Sequence, residues 1–352
     1  MITSQTASQR RAHARIRRSM GMGLVAGAAA FSLALSGCSS QQQDSAASDG
    51  LDPVSVLLDW TPNPDHVSLY TAQHTGAYEQ AGVKVDFTTP SGTADAAKMV
   101  SLGQTDLAIS YEPDTLIAEG EGLDVISVGA LVPTSLNSVM TWEGSGINGP
   151  QDLAGKKVGT SGLASQETTM NYIAKKHGVD PSTITYVNLS QGLNQPLIDH
   201  QVDATIGAYP NIEGVELAEH GSFPSWSNTE LGLPDYDELV VIAQRSRLQS
   251  DSAYAERVRK FLAGTAKGQE AAEASTDTAV EALTGPTDGA YEPDVLRRMV
   301  ERTVPLLKND GGFGHQPEDD WAAYAAWMHE NGLLENEYDG RQGLTNEYLP
   351  GR

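Results

Sequence analysis

From residue 53 onward the chain alternates between short apolar runs and longer amphipathic stretches. Short runs rich in β-branched residues predict strands, and apolar residues at a spacing of three to four predict helices. The strands predicted in this way are 54–58, 83–88, 106–110, 125–131, 138–142, 156–159, 184–189, 204–208 and 238–243. Most of the chain from 251 to 331 has a helical pattern. Strands that alternate with helices indicate parallel sheets covered by helices, so the predicted fold class is α/β.

The order of the strands predicts two lobes joined by two crossover segments. Residues 53–140 and 239–352 are assigned to lobe 1, and residues 141–238 are assigned to lobe 2. In open α/β sheets the ligand lies beyond the carboxyl ends of the strands. Two such ends that face each other would form a cleft that can close. Within lobe 1, a helix is predicted over residues 65–80, with Asp65 as its N-cap.

The first 38 residues have a different pattern. Five arginines occupy a stretch without acids, an apolar run spans residues 20–35, and small residues precede Cys38. This layout predicts a secretory signal peptide over residues 1–37, because the run is short for a membrane span. Cys38 is placed as in the lipobox of bacterial lipoproteins, and this resemblance implies that Cys38 is lipidated. Residues 38–52 are then a flexible tether, and the protein is expected outside the cytoplasm, anchored to the bacterial cell membrane by lipid.

Two alternatives for this leader stay open. The first is an ordinary secretory peptide in which the cysteine is incidental. The second concerns the export route, because the paired arginines at 17 and 18 are also compatible with twin-arginine export.

Composition excludes several classes of function. The chain of 352 residues has 23 basic and 46 acidic side chains, with a formal net charge of -23. Such a chain offers no basic face to replace the counterions of nucleic acid, so no nucleic-acid partner is expected. The single cysteine excludes a disulfide framework, a cysteine-based zinc site and an iron–sulfur cluster within the chain. Neither a cofactor nor a metal is predicted.

Candidate ligand-binding residues follow the ends of four predicted strands. They carry aromatic rings, carboxylates or small hydrogen-bonding groups, and none of them is Lys or Arg: Asp59, Trp60, Asn63, His66, Tyr111, Glu112, Ser161, Glu167, Tyr209, Asn211 and Glu213. Aromatic rings stack on planar ligands, and carboxylates accept hydrogen bonds from N–H groups. These walls therefore suit a flat, nitrogen-rich ligand that is neutral or cationic. A sulfonate, nitrate or phosphate would favour basic residues, although the turn at 159–162 offers backbone donors to an anion.

Structural roles are open for five of these residues. Trp60 is equally compatible with a place in the core or at a rim, and Asp59 with capping the turn that follows it. His66 is compatible with a surface position. Glu167 and Glu213 are compatible with solvated positions on helices.

Several segments resemble one known family. Residues 57–87 (LLDWTPNPDHVSLYTAQHTGAYEQAGVKVDF) resemble the opening of the thiamine-pyrimidine substrate-binding proteins, which are ThiY-type receptors of ABC importers related to the fungal pyrimidine-precursor synthase. Further similar stretches are 97–110, 147–160, 202–214 and 345–349. The resemblance implies a type II periplasmic-binding-protein fold, a monomer, and an ABC permease with its ATPase as partners. It implies binding of an aminopyrimidine precursor of thiamine in the interlobe cleft.

The same resemblance implies which residues line the cleft. Asp59, Trp60, Asn63 and His66 would belong to the wall of lobe 1, and Glu112 matches it more loosely. On lobe 2 the residues that match the family's Tyr-x-Asn-x-Glu pattern are Tyr209, Asn211 and Glu213.

One departure from the family bears on catalysis. The fungal synthase carries a lysine just after its third strand and a histidine four residues later, and these places are occupied here by Ser110 and Asp114. The cysteine-rich iron motif of the synthase is also missing from this sequence. The chain is therefore predicted not to be an enzyme. Two alternative functions remain. The first is a receptor of the same fold that binds riboflavin, another flat heterocycle, a sulfonate or nitrate. The second is an extracytoplasmic pyrimidine-precursor synthase.

Overall fold

The computed structural model describes residues 50–90, 96–190 and 192–351, in which two five-stranded sheets form the centres of two lobes. With strands numbered in chain order, the sheet of lobe 1 has the order β2-β1-β3-β10-β4. Strands β1, β2 and β3 are parallel, whereas β10 runs antiparallel to both of its neighbours. The bounds of these strands are β1 Asp52–Leu57, β2 Val83–Thr88, β3 Leu107–Ser110, β4 Ile126–Val132 and β10 Leu239–Ala243.

The sheet of lobe 2 has the order β7-β6-β8-β5-β9. Its strands are β5 Ser138–Thr141, β6 Lys157–Thr160, β7 Thr185–Asn188, β8 Ala204–Ala208 and β9 Ser225–Ser227. β5 lies antiparallel between β8 and β9, so it is a full member of this sheet. The expected lobe boundary between residues 140 and 141 therefore needs correction, because it cuts through β5. The chain changes sheets between residues 132 and 138, and it returns between residues 227 and 239.

Helices cover both sheets. The helices of the first part of lobe 1 are α1 Val67–His74, α2 Ala77–Ala81, α3 Ala96–Ser101 and α4 Glu112–Gly120. Lobe 2 contains α5 Ala164–Lys176, α6 Asn194–Ile198 and α7 Glu213–Leu217. After β10 follow α8 Arg245–Ser250, α9 Ser252–Ala274, α10 Thr276–Thr284, α11 Pro293–Thr303 and α12 Glu318–Glu330. Within the described ranges, none of the helices combines the length and the apolar character needed to span a bilayer.

The helix expected over residues 65–80 begins with a different cap and is divided into two helices. Its start is a short 3-10 turn, Pro64–His66, and the side chain of Asn63 caps this turn by accepting from the Asp65 N–H over 2.8 Å. Gly76, in the left-handed region at a φ of 72°, ends α1 and starts α2. Asp65 is therefore not a cap, and its carboxyl is free for another role.

The strand ends that contribute to the site belong to the closely packed core of lobe 1. Strands β4 and β10 are buried along their whole length, and α9 packs closely against α1. A Cβ atom at Gly268 of α9 would lie 2.1 Å from the carbonyl oxygen of Ser68, so the close approach of these two helices requires glycine there. Each large apolar side chain buried in such a core stabilises it by about 1.5–3 kcal/mol.

The segments predicted near the amino terminus fall mostly outside the described residues. The signal peptide, Cys38 and the tether up to residue 49 lie there. The final residue of the expected tether, Asp52, already pairs with Val83 as the first residue of β1.

Candidate functional site

A cleft of about 750 Å³, open solvent included, lies between the carboxyl ends of the strands of the two sheets. The segments that follow β1, β3, β6 and β8 all contribute to it. The polar and aromatic lining residues are Asp59, Trp60, Asn63, Asp65, Tyr111, Asp114, Asn137, Ser161, Gln166, Tyr209, Glu213, Tyr236 and Glu238. The position agrees with the general location of ligand sites in open α/β sheets.

Asp59 organises the wall of lobe 1. Its Oδ2 accepts a hydrogen bond from the Tyr111 hydroxyl over 2.8 Å, and its Oδ1 lies 2.8 Å from Nε2 of His66. The Nδ1 atom of His66 accepts from the backbone N–H of Asn63 over 3.2 Å. The neutral imidazole therefore carries its proton on Nε2 and donates it to Asp59. His66 is fully buried beneath Asp59, so it orients the carboxylate and does not line the cleft.

In the turn after β1, the side chain of Trp60 faces the cleft, whereas the side chain of Asn63 forms hydrogen bonds within the turn. Trp60 is half-buried and lines the cleft. The amide of Asn63 donates to the carbonyl of Thr61 over 3.2 Å, in addition to capping the turn. Of these two residues, Trp60 has the freer surface for a ligand.

Asp65 connects this wall to lobe 2. Its Oδ1 accepts from Nδ2 of Asn211 over 2.6 Å, and the same amide donates to Oγ1 of Thr303 on α11 over 2.8 Å. Asp65 is 2% exposed and Asn211 is 3% exposed. Asn211 is thus buried at the interface between the lobes and does not line the cleft.

The first wall of lobe 2 is built from Ser161 and Gln166. The side-chain oxygen of Gln166 accepts from the Ser161 N–H over 2.8 Å, and its amide donates to the Ser161 hydroxyl over 2.7 Å. A Cβ at Gly207, which has a φ of 99°, would lie 2.2 Å from Nε2 of Gln166. Glycine at 207 therefore makes room for the Gln166 amide beside the cleft.

Tyr209 and Glu213 form the second wall of lobe 2. The carboxylate of Glu213, at the start of α7, accepts from the backbone N–H of Tyr209 over 2.7 Å. Burial raises the pKa of Glu213 to about 7. This carboxyl can therefore exist in both protonation states near neutral pH, as an acceptor or as a donor.

Glu238 ties the two crossover segments together. Its Oε2 accepts from the N–H groups of Leu136 and Asn137, at 2.6 and 3.0 Å, so the second crossover is bonded to the first. Its Oε1 accepts from the Tyr209 hydroxyl over 2.8 Å. Burial raises the pKa of Glu238 to about 7. One carboxyl thus lines the cleft, holds the hinge and contacts lobe 2.

The electrostatic character of the cleft is acidic. Five carboxyl groups line it, and the described lining residues include no Lys, Arg or His. Burial raises the pKa of Asp114 to about 6, which adds a third carboxyl able to change its protonation near neutral pH. In the described part of the chain, no cluster of three or more His, Cys, Asp or Glu side chains is arranged to hold a metal ion. The arrangement suits a ligand that offers N–H donors.

Contacts on both flanks hold the lobes together around the cleft. On one flank Ile212 and Val215 of lobe 2 form a buried cluster with Met299 of α11. On the other, Tyr172 of α5 packs edge-on against Trp327 of α12, with 5.0 Å between the ring centroids. The two lobes are therefore in contact on both sides of the cleft.

Two residues that we expected in the cleft lie elsewhere. Glu112 is buried at the start of α4, where its Oε2 accepts from the Asp237 N–H over 2.8 Å, so it supports the second crossover. Glu167 is exposed on α5, because Gln166 occupies the helix face that meets the cleft. His66 and Asn211 do not line the cleft either, because both are buried behind its wall. The assignment to the lining is thus corrected for all four residues. The remaining predicted residues, Asp59, Trp60, Asn63, Tyr111, Ser161, Tyr209 and Glu213, do line the cleft.

Six polar or aromatic residues of the lining were not expected from the sequence, namely Asp65, Asp114, Asn137, Gln166, Tyr236 and Glu238. Asp65 and Gln166 are one or two residues from predicted positions, so a wider window at the same strand ends would have included them. Asp114 and Glu238 depend on the rotation of α4 and on the path of the second crossover. Their sequence neighbourhoods carry no local signal of this.

Most of the described chain matches the profile of one protein family. The profile of a family described as NMT1/THI5 like matches residues 63–279. The formylaminopyrimidine-binding protein of Halalkalibacterium halodurans is 29% identical over 310 residues, which cover 86% of this chain and 93% of that protein. A 4-amino-5-hydroxymethyl-2-methylpyrimidine phosphate synthase of Legionella pneumophila is 25% identical over 301 residues, covering 84% of this chain and 92% of the synthase.

Among solved structures, the chain is similar to an alkanesulfonate-binding protein of Xanthomonas axonopodis pv. citri, determined with bound MOPS. The TM-score is 0.65 at 17% sequence identity, and the match covers 85% of this chain and 99% of that one. At this level of identity the likeness concerns the fold alone. The predicted type II periplasmic-binding-protein fold, with two α/β lobes joined by two crossover segments, is confirmed.

Proposed function

Because the chain belongs to the NMT1/THI5-like family, we propose that it is the solute receptor of an ABC importer and that it binds an aminopyrimidine precursor of thiamine between its lobes. The composition of the cleft wall carries this proposal. Five carboxyl groups and several aromatic rings line the cleft, and no basic side chain is found among the described lining residues.

An aminopyrimidine matches this wall group by group. Its ring is flat and can stack on Trp60 or Tyr209. Its amino N–H groups donate to ionised carboxylates such as Asp59, and its ring nitrogens accept from a protonated carboxyl. Glu213, whose pKa is raised to about 7 by burial, can supply such a proton. The wall therefore offers both kinds of partner that the ring requires.

Two relatives support a pyrimidine ligand by the compounds in their names. One is a formylaminopyrimidine-binding protein, which this chain matches over 93% of its length. The other is a synthase of an aminopyrimidine phosphate. The compounds named for both relatives share an aminopyrimidine ring, and we extend that ring to the ligand of this chain.

The charge of the cleft argues against the anionic alternatives. A sulfonate or nitrate is best bound by Arg, Lys or a helix N-terminus, and desolvated carboxylates repel it. The likeness to an alkanesulfonate-binding protein supports the fold only. Riboflavin or another flat heterocycle is the remaining alternative of the same class, and direct competition for binding distinguishes it.

We favour a receptor over a synthase for this chain. Ser110, at the end of β3, is where the resemblance places the cofactor-bearing lysine, and Asp114 is where it places the substrate histidine. A serine cannot form the Schiff base that a lysine amine forms. The only cysteine of the sequence is Cys38. A receptor returns its ligand unchanged, whereas a synthase consumes a reactant.

In the proposed cycle, the ligand binds to one wall and then bridges to the other, which shifts the lobes towards the closed arrangement. The closed receptor docks as a monomer on the permease, and the ATPase drives transfer. A lipid on Cys38 keeps the receptor at the outer face of the bacterial cell membrane, with residues 38–51 as its tether.

Growth of a strain that cannot make the pyrimidine tests this function. Deleting the receptor gene is expected to abolish growth on low concentrations of external aminopyrimidine and to leave growth on thiamine unchanged. Unchanged growth on the aminopyrimidine would contradict the receptor role. In parallel, mass spectrometry is expected to recover the aminopyrimidine unchanged after incubation with the protein, and a covalently altered protein or a new product would favour the synthase.

A further inference from the structure

Asp65 and Asn211 meet across the interface between the lobes, and each keeps one buried oxygen without a partner. Asp65 precedes α1 in lobe 1, and Asn211 follows β8 in lobe 2. The Nδ2 atom of Asn211 lies 2.6 Å from Oδ1 of Asp65. In the described structure, neither Oδ2 of Asp65 nor Oδ1 of Asn211 has a hydrogen-bond partner. Each of these two oxygens can accept a hydrogen bond, and neither receives one.

The surroundings of Asp65 disfavour an ionised carboxylate. The titratable groups that interact with the charge of Asp65 are three carboxyls and one phenol, namely Glu213, Asp59, Glu238 and Tyr291. Of the three arginines of the neighbouring helix α11, Arg297 is paired with Asp277, Arg298 is paired with Glu219, and Arg302 is exposed. Burial is the largest cause that raises the pKa of Asp65 well above its usual range.

We propose that Asp65 and Asn211 form a proton-held clasp between the lobes, in which a carboxylic acid and a carboxamide bind each other through two hydrogen bonds. The acid proton resides on Oδ2 of Asp65 and is donated to Oδ1 of Asn211, while the amide N–H donates to Oδ1 of Asp65. One proton thus satisfies both unpartnered oxygens. When the lobes open, Asp65 becomes hydrated and releases that proton. Asp65 is a positioning residue in this scheme, because it holds lobe 2 over the ligand.

The clasp makes closure dependent on pH with a defined sign. Above the ordinary pKa of an aspartate, the open form has lost a proton that the closed form retains. Raising the pH then disfavours closure, by up to about tenfold in apparent affinity per pH unit for one linked proton. The effect on affinity rests on the proposed function, because it needs a ligand that closes the lobes.

Asp65→Asn is the decisive variant, because an amide at this position imitates the protonated acid. Its oxygen can accept from Asn211, and its N–H can donate to Oδ1 of Asn211. Affinity for an aminopyrimidine is measured by calorimetry between about pH 6 and about pH 8.5, using the compact unit of residues 48–352. The plot of log Kd against pH is expected to lose about one unit of slope relative to wild type. Asp86→Asn, an exposed change on β2, is the control and keeps the wild-type slope.

A second measurement follows the proton of the clasp directly and needs no variant. The carboxyl carbon of Asp65 in the wild-type protein, saturated with the aminopyrimidine so that the lobes are closed, is followed by nuclear magnetic resonance as the pH is raised. Asp65 is expected to remain protonated at neutral pH, because Oδ1 of Asn211 accepts its proton at the closed interface. Titration of wild-type Asp65 in the usual aspartate range would overturn the clasp.

The outcomes separate this inference from the proposed function. Tight wild-type binding with the same pH slope in Asp65→Asn overturns the clasp and leaves the receptor function intact. A loss of affinity in Asp65→Asn at every pH also overturns the clasp, because the ionised carboxylate itself would then be needed. Failure of the wild-type protein to bind any aminopyrimidine overturns the proposed function, and an Asp65 that is still protonated at neutral pH in that protein would support the clasp independently.

Discussion

The hydroxyl group of Tyr209 donates a hydrogen bond to Oε1 of Glu238 over 2.8 Å, and this bond joins the wall of lobe 2 to the hinge. The other oxygen of Glu238 accepts from the N–H groups of Leu136 and Asn137, in the first crossover. The ring of Tyr209 also lines the cleft. A ligand that stacks on this ring therefore contacts a side chain whose position depends on the hinge.

Replacement of Tyr209 by phenylalanine is expected to weaken ligand binding about tenfold. The ring stays in place for stacking, but the bond to Glu238 is lost, which costs about 1–1.5 kcal/mol for a buried hydrogen bond to a polar partner. Calorimetric titration measures the affinity. Tyr338→Phe is the matched control, because it removes a hydroxyl bonded to Glu119 outside the cleft. Equal affinities for Tyr209→Phe and wild type would show that the bond does not stabilise the closed arrangement.

Truncation of Trp60 to alanine is expected to weaken binding by about 1–3 kcal/mol, the range for loss of a buried aromatic anchor. Trp60 is half-buried and faces the cleft, so the unfolding temperature should change little. Trp142→Ala is a suitable control, since Trp142 stacks on His200 with 3.8 Å between the ring centroids and does not line the cleft. Unchanged affinity in Trp60→Ala would assign Trp60 a structural role.

The buried carboxyls of the cleft are expected to make the empty protein less stable as the pH rises. Burial raises the pKa of Glu213 and of Glu238 to about 7 from a usual 4.5. Between these values the folded chain retains protons that the unfolded chain has released. The free energy of unfolding therefore falls between about pH 4.5 and about pH 7. Above about pH 7 these two groups cause no further decrease.

Thermal unfolding followed by circular dichroism at several pH values tests this dependence. Glu213→Gln is expected to reduce the fall in unfolding temperature, because one of the raised carboxyls is removed. Glu143→Gln changes an exposed side chain by the same chemistry and should leave the slope as in wild type. If Glu213→Gln and Glu143→Gln had equal slopes, burial at Glu213 would not be the cause.

Replacement of Cys38 by serine is expected to release the protein from the membrane. Cys38 is the single cysteine and follows the predicted signal peptide, so no other thiol is available for the lipid. Cell fractionation should find the wild type in the membrane fraction and the variant in the soluble extracytoplasmic fraction. A wild-type protein with an unmodified amino terminus by mass spectrometry would instead favour an ordinary secretory peptide.

The sequence predicts those parts of the site that follow directly from strand ends. Asp59, Trp60, Tyr111 and Tyr209 each come within three residues of a strand end, and parallel packing brings these ends to one cleft. The alternation of strands and helices predicts the α/β class for the same reason. The resemblance of residues 57–87 adds the family, which the profile match over residues 63–279 confirms.

Side chains on helices and crossovers were less predictable, because their directions depend on tertiary packing. Glu112 begins α4 and lies near the end of β3, but its carboxylate bonds to Asp237 in the second crossover. Glu238 lies in the second crossover, and only the return of the chain to β10 brings it beside Leu136. A sequence pattern records spacing along one element, whereas these positions require the relative placement of two lobes.

Calorimetric titration of residues 48–352, stripped of carried-over ligand by unfolding and refolding, tests the central claim most directly. The titrants are a free or formylated aminomethylpyrimidine, riboflavin, an alkanesulfonate and nitrate. We predict a Kd of about 1 μM or tighter for the aminopyrimidine, which corresponds to about 8 kcal/mol, and no measurable heat for the two anions. Heat with the alkanesulfonate or riboflavin, and none with the aminopyrimidine, would contradict the assignment of this cleft to a thiamine precursor.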